Sequence, residues 1–355
     1  MHNRYKKIIA FSLIAQIALV KWLGLHPEWI ERYYSEGVYP YLSRFMRWHF
    51  GWIPFSMGDI FYTLLALAAI RFLYLHGRRI WKRPSGVILD LGVVAAIAYF
   101  LFHVLWGMNY YRLPLSEKWG MKEDYSVTEL ADFTTYLITK TNQSQIALTR
   151  DSVLAVKVPL ERDAIFKGAI ASYQNVAEVY PHLTYPQTSL KRSLYSLPLT
   201  YMGFGGYLNP FTGEAQVNSK IPKLRYPTVS CHEMGHQIGY ASESETNFIG
   251  FLVTSHSKDP YFQYAVNTHA LAYCLSDLKL RDETLFDQLW ATLNEGVKTN
   301  YRQHRKFWKA YENVTEPFFE ALLNVFLKAN DQKDGIQSYN KVVGLLVNYH
   351  SKYGF

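Results

Sequence analysis

Three apolar runs punctuated by basic residues set the pattern of the first third of the chain. They are Ile8 to Gly24, Asp59 to Leu75 and Val87 to Met108. Each approaches the roughly 20 residues that a helix needs to cross about 30 Å of hydrocarbon. Polar breaks sit near the run ends, at Lys21, Arg71, Asp90 and His103, where long side chains can reach an interface. A buried core helix is the competing reading for the first two, which are short. No small-residue cleavage site follows the first run, which separates it from a signal peptide.

Beyond residue 111 the pattern changes to helical periodicity. Ser126-Val-Thr-Glu129 has the spacing of a capping box and predicts a helix to about Lys140. A second helix spans Leu160 to Val179 and stops before Pro181. Residues 193–218 differ: β-branched and aromatic positions are broken by Gly203, Gly205 and Gly206, and Asn209-Pro-Phe-Thr-Gly213 reads as a turn. A short hairpin or small sheet is expected there, with Glu214, Ala215, Gln216, Val217 and Asn218 alternating as a half-exposed strand. After Tyr261 the chain reads as nearly all helix, at about 262–281, 283–300, 302–312, 316–329 and 334–350. Phe318, Phe319 and Phe326 are expected in its core. The fold class is therefore mainly α: a membrane domain over residues 1–110 with three spans (about 8–24, 59–75 and 87–108), and a mostly helical domain over 111–355 with a small sheet.

Charge refines this division. The formal charge of +8 is not evenly spread. Residues 1–107 hold 12 Lys/Arg against 5 Asp/Glu, whereas residues 108–355 hold 25 against 24. The excess is a membrane-orientation signal rather than a nucleic-acid footprint, and no nucleic-acid partner is expected. Arg4, Lys6 and Lys7 precede the first run, and Arg78, Arg79, Lys82 and Arg83 separate the second from the third. The positive-inside rule then predicts a multi-pass protein of the cell (inner) membrane with a cytoplasmic N-terminus. Everything after about residue 108 would lie on the outer, periplasmic side. Trp52, Trp106, Tyr110 and Tyr111 would form an interfacial belt. Cys231 and Cys274 are too few for a disulfide framework; an external location permits a bridge, and two buried thiols are the other option.

The chemistry concentrates at His232-Glu-Met-Gly-His236. On a helix, residues four apart share a face, so both imidazoles can reach one zinc ion. Glu233, turned about 100° away, can take a proton from a water that the metal acidifies. A catalytic zinc keeps three protein ligands. The continuation, Gly239 then Ser242-Glu243-Ser-Glu245-Thr-Asn247, suggests a helix-ending glycine followed by a second helix capped by Ser242 with Glu245. That leaves Glu243 as the preferred third ligand and Glu245 as the alternative. The pattern of H-E-x-x-H-x-x-G-x-x-H fails at Ser242, which argues against a metzincin. An electrophile for the oxyanion could come from His269, Tyr273 or Tyr339. His256 reads as a surface residue, and His103 and Asp90 as interfacial rather than a proton relay.

His-Glu-x-x-His followed by Glu-x-x-small-Asn resembles the gluzincin peptidases. The resemblance implies Glu243 as zinc ligand, Thr246 at the small position and Asn247 as a supporting partner, most simply of His232. Similarity to zincin-type enzymes also implies that Glu214–Asn218 is an edge strand that pairs with an extended substrate backbone. The wider chain resembles the domain-of-unknown-function family 3810, an uncharacterised family of bacterial membrane proteins. The resemblance rests on Tyr34-Ser-Glu-Gly-Val-Tyr-Pro40, Trp52-Ile-Pro-Phe-Ser-Met-Gly-Asp59, Asn209–Asn218 and the zinc motif. The expected function is a membrane-anchored zinc metallopeptidase acting on a peptide or protein, with the lipid bilayer as its other partner. A non-catalytic membrane protein with a structural zinc is the alternative, and hydrolysis of a non-peptide amide a third possibility. Glu233 weighs against the second, because a structural site needs no base.

Overall fold

The computed structural model describes residues 3–82, 84–332 and 339–355. Arg83, the side chains of Arg78, Arg79, Lys82 and Tyr339, and the start of the helix expected at 334 lie outside the described residues. Helix α1 (Asn3–Gly24) leads through the short α2 (Pro27–Trp29) and a π-helical stretch, Ile30–Val38, into α3 (Tyr39–Gly51). Helices α4 (Met57–Lys82) and α5 (Pro84–Leu105) follow. Three helices, α1, α4 up to Gly77, and α5, are long and apolar enough to cross a membrane, and little of their surface is buried within the chain. Apolar surface exposed all round a helix needs a non-aqueous environment, so these helices point to membrane association. The third ends at Leu105 rather than Met108, because the chain turns into a short 3-10 segment, Gly107–Tyr111. Helices α1 and α5 pack together where Gly92 faces Ala10, a small-residue contact of the kind that lets helices approach in lipid. Asp90 pairs with Lys6 across this contact.

The remainder is helical around one small sheet. Its helices are α6 (Leu115–Lys118), α7 (Val127–Thr149), α8 (Arg162–Val179), α9 (Ser196–Tyr201), α10 (Tyr226–Gln237), α11 (Glu243–Ser255), α12 (Pro260–Arg281), α13 (Glu283–Ala291), α14 (Glu295–Lys309), α15 (Glu316–Ala329) and α16 (Tyr339–Tyr353). The capping box at Ser126 forms, with the Ser126 hydroxyl accepting from the Glu129 amide and the Glu129 carboxylate accepting from the Ser126 amide. Its helix runs on to Thr149. The helix expected over 283–300 is broken at Thr292–Asn294 into α13 and α14. Large residues of α7, α8, α10, α11 and α12, among them Phe133, Tyr173, Tyr226, Phe248 and Phe262, fill the main core. Phe318 and Phe326 do not belong to it: they are 65% and 40% exposed, and Leu322 and Val325 on the same helix are also open.

The sheet holds β1 (Leu190–Arg192), β2 (Gly206–Asn209) and β3 (Glu214–Val217) in the order β1–β3–β2. The expected hairpin is present as the antiparallel pair β2–β3. The unexpected β1 joins parallel to β3. Buried carboxylates tie this sheet to the start of α4. Glu214 accepts from the amides of Met57 and Gly58 at 3.1 and 2.5 Å and pairs with Lys191. Asp59 accepts from the Leu194 amide at 2.7 Å, the Ser193 hydroxyl at 3.1 Å and the Tyr207 hydroxyl. Negative charge at a helix N-terminus is favourable, so α4 is anchored by residues 134 and more positions away. Contacts thus cross the boundary expected at residue 110.

Candidate metal centre

Helix α10 carries the histidine motif through the middle of the molecule. Pro227 sits in its first turn, where a missing N–H costs nothing, and the helix is buried almost all round. Gly239 ends it with φ +97°, in the left-handed region expected of a C-terminal glycine. The terminal carbonyls, which have no partner within the helix, are met by the N-terminal part of the chain. Tyr39 donates its hydroxyl to Gln237 O at 3.0 Å and Ser43 donates to the same oxygen at 2.5 Å. Trp106 donates its indole N–H to His236 O at 3.0 Å, and Arg112 reaches Gly239 O at 2.8 Å. Arg112 is itself held by two bonds to Glu31.

His232 and His236 stand perpendicular, with ring centroids 4.7 Å apart. Glu243, the first residue of α11, places one oxygen 3.4 Å from Nε2 of His232 and the other 3.6 Å from Nε2 of His236. Donors each about 2.1 Å from a tetrahedral zinc are about 3.4 Å apart, so each histidine–Glu243 pair is spaced as two ligands of one ion would be. Burial alone would raise the Glu243 carboxyl, but its bonds to His232 and His236 and their charge hold it well below the usual range. The ring of His236 is oriented by Tyr240 O, which lies 2.7 Å from Nδ1; a donated Nδ1–H leaves Nε2 free for a metal. Thr246 braces that carbonyl from 2.9 Å.

Glu245 takes no part in this cluster. Its carboxylate accepts from the Leu115 amide at 2.6 Å. The capping box expected between Ser242 and Glu245 is absent: Ser242 is the N-cap residue, but its side chain makes no cap bond. Backbone demand from a distant segment outcompetes the local motif.

Glu233 also brings an oxygen within 4.8 Å of both histidine nitrogens. Its place is different: Oε1 lies over Gly206, where a Cβ would come within 2.6 Å, and Oε2 has no hydrogen-bond partner. Burial pushes its pKa up to about 7, against the pull of His232 and His236 and with the repulsion of Glu243. Glu233 therefore leaves one buried carboxylate oxygen unpartnered beside the two imidazoles.

Two expectations for nearby residues are corrected. Asn247 lines the same cavity, but Nδ1 of His232 has no hydrogen-bond partner, so Asn247 does not support that ring. The Glu214–Asn218 segment is not an edge strand. β3 is central, with β1 on one side and β2 on the other, and all four of its residues are buried. Its backbone has no free side for a substrate. Glu214 is bound to α4, Asn218 donates to Phe204 O at 2.9 Å, and Ala215 and Val217 are fully buried. Gln216 alone keeps unpartnered side-chain atoms. It is β2, at the sheet edge, that borders the cavity through Gly206, Tyr207 and Leu208.

The histidine cluster opens into a cavity of about 1210 Å³. His269 and Tyr273 line it as expected, with His269 held 2.7 Å from the Thr228 hydroxyl. His256 is instead turned to Leu252 O. Cys231 and Cys274 are free and buried. Several wall residues were not expected from sequence. Trp106 stacks edge-on against His236 at 5.8 Å. Tyr110 is buried with its hydroxyl pKa driven upward by that burial and by the charge of Glu243. Arg225, just before α10, has a buried Nη1 without a partner. Trp106 and Tyr110 lie more than 100 positions upstream of the motif, and no spacing rule links them to it.

No curated protein and no solved structure shows significant similarity to the chain. The model of one family, described as protein of unknown function DUF3810, matches residues 34–347, from the π-helical stretch to the last helix and through the whole histidine cluster. The chain belongs to the DUF3810 family.

Proposed function

We propose that this chain is a membrane-anchored zinc-dependent metallohydrolase, most simply a peptidase of gluzincin-like chemistry. The observation that carries the reading is that Glu243 turns its two oxygens to Nε2 of His232 and Nε2 of His236, at 3.4 and 3.6 Å, with an unpartnered Glu233 oxygen beside them. Zinc held by the three would supply Lewis acidity, lowering the pKa of a water and polarising a carbonyl. Glu233 would take the proton of the attacking water and pass it to the leaving amine. His269, Tyr273 and Tyr110 border the cavity and are the candidates to donate toward a developing oxyanion. A structural zinc needs no such base and closes its fourth position with a ligand, so Glu233 favours the enzyme. The Lys/Arg excess around α1 and between α4 and α5 supports an N-terminus inside the cell and the cavity on the outer side.

Metal analysis of the full chain in detergent tests the first step. About one zinc per chain is expected, lost in His232→Ala and His236→Ala. Chelator-sensitive hydrolysis of a peptide library by the zinc-loaded protein tests the second. A chain that binds zinc yet cleaves nothing in a broad library would leave a metal-stabilised scaffold.

A further inference from the structure

One wall of the metal cavity is a membrane-type helix. Ala95, Ala98, Tyr99 and Phe102 of α5 all face it. They are spaced i, i+3, i+4 and i+7, which makes them one continuous face. Ala95 lies ten residues before the end of α5, which at 1.5 Å per residue is about 15 Å along the axis, or about half the thickness of a bilayer's hydrocarbon. The cavity therefore runs from the histidine cluster down the side of a spanning helix, and the two alanines keep that arm open. Tyr62 of α4 adds a second apolar wall.

Helix α15 borders the same cavity through Leu323 and Phe326. This helix is seated at the outer ends of the spans: Phe326 packs on Phe102 and Tyr110, and Ala329 O accepts from Lys21 of α1 at 2.9 Å. Its far side presents Phe318, Leu322 and Val325, which are 65%, 57% and 66% exposed. These positions again form one face, and such a stripe in line with spanning helices belongs in lipid. The arm is thus bounded by elements that all turn apolar faces to the bilayer.

We infer that the substrate is a peptide held in the membrane by an apolar anchor, and that the arm between α5 and α15 receives the anchor-proximal part while the adjoining peptide bond reaches the histidine cluster. The inference rests on the metallohydrolase reading. The anchor is recognised as an apolar chain, whether acyl group or apolar peptide segment.

The test uses the full-length, zinc-loaded protein in phosphatidylcholine–phosphatidylglycerol nanodiscs and a dodecanohydroxamate bearing a diazirine at the end of its chain. The hydroxamate head chelates zinc, and irradiation marks where the chain lies. Labelling of the Ala95–Phe102 or Leu323–Phe326 peptides, displaced by excess acetohydroxamate, is the expected result. Ala98→Trp, which fills the arm, should lower that labelling at least fivefold; if it fails to fold, the wild-type map stands by itself. Displaceable label confined to other walls, such as the Arg225 end, would overturn the inference, as would zinc-loaded protein with no displaceable label. A chain without zinc would instead remove the metallohydrolase reading, and the inference with it. Once the arm is shown to be used, one short peptide bearing either a palmitoyl chain or an apolar 20-residue segment, compared as competitor of the label, separates the two anchor types.

Discussion

At the residue scale the site depends on which of three nearby glutamates does what. Glu243 follows a helix cap and points both oxygens at the histidines; Glu245, two positions on, is committed to the Leu115 amide. Glu243→Ala should therefore weaken zinc binding strongly, measured by competition with a chromophoric chelator. Glu245→Ala should leave the zinc in place and lower stability by about 1.5–3 kcal/mol, the range for a bond to a charged group. Zinc loss in Glu245→Ala alone would assign the ligand wrongly. Glu233→Gln keeps shape and zinc but removes the base, so turnover should fall by about 10²–10⁴; full activity would exclude the proposed role. Gly206 belongs to the same argument. A methyl group there would meet Gln216 O and the Glu233 carboxylate at 2.6 Å each, so Gly206→Ala should cost about 1–3 kcal/mol by overpacking and impair turnover, read together from a melt and a peptide assay. The proximity of the histidines and Glu233 is legible locally because one helix carries all three. The glycine's role is not, because the constraint comes from another strand.

At the element scale, α10 is a helix whose last turn is finished by side chains from elsewhere. Tyr39 and Ser43 of α3 and Trp106 after α5 supply donors that the sequence around the motif lacks. Trp106→Phe removes the bond to His236 O without removing an aromatic ring. A loss of about 1 kcal/mol is expected, or about 2–4 °C in melting temperature, with zinc affinity falling in parallel because the freed carbonyl belongs to a ligand residue. An unchanged melt and affinity would mean that the indole merely fills space. The strand at Glu214–Val217 was readable, though its half-exposed alternation was not borne out, since all four residues are buried, and the Gly-ended hairpin turn was readable too. The order of strands was not: β1 is three residues long, too short for periodicity to register, yet its pairing makes β3 central and closes it to a substrate.

At the scale of the whole molecule, α4 and α5 are both helices apolar enough to cross a membrane and parts of the site's frame. Glu214 and Asp59 bind α4 to the sheet, and Phe102 packs on α15. Expression of residues 111–355 alone should give an insoluble or zinc-poor product, since the end of α10 and the buried Glu214 would lose their partners; a well-folded, zinc-replete fragment in a gel-filtration and metal assay would contradict this. Topology is tested separately. Reporter fusions after residue 80 should read as cytoplasmic and fusions after residue 115 as external, and the reverse pattern would move the cavity to the inner face.

Periodicity and composition, which act over a turn or two of helix, sufficed for the apolar spans, the mostly helical remainder, the hairpin and the His-Glu-x-x-His face. Those are properties of contiguous residues, and local sterics and burial decide them. Three matters were settled only when distant segments met: that Glu243 rather than Glu245 faces the histidines, that β3 is enclosed, and that Phe318 and Phe326 leave the core, with Phe326 packed on α5. Each depends on a partner far away in sequence, the Leu115 amide, β1 and the end of a spanning helix. A hydrogen bond or an apolar contact selects among locally equivalent choices, and nothing in the neighbouring residues records which choice the distant partner will favour.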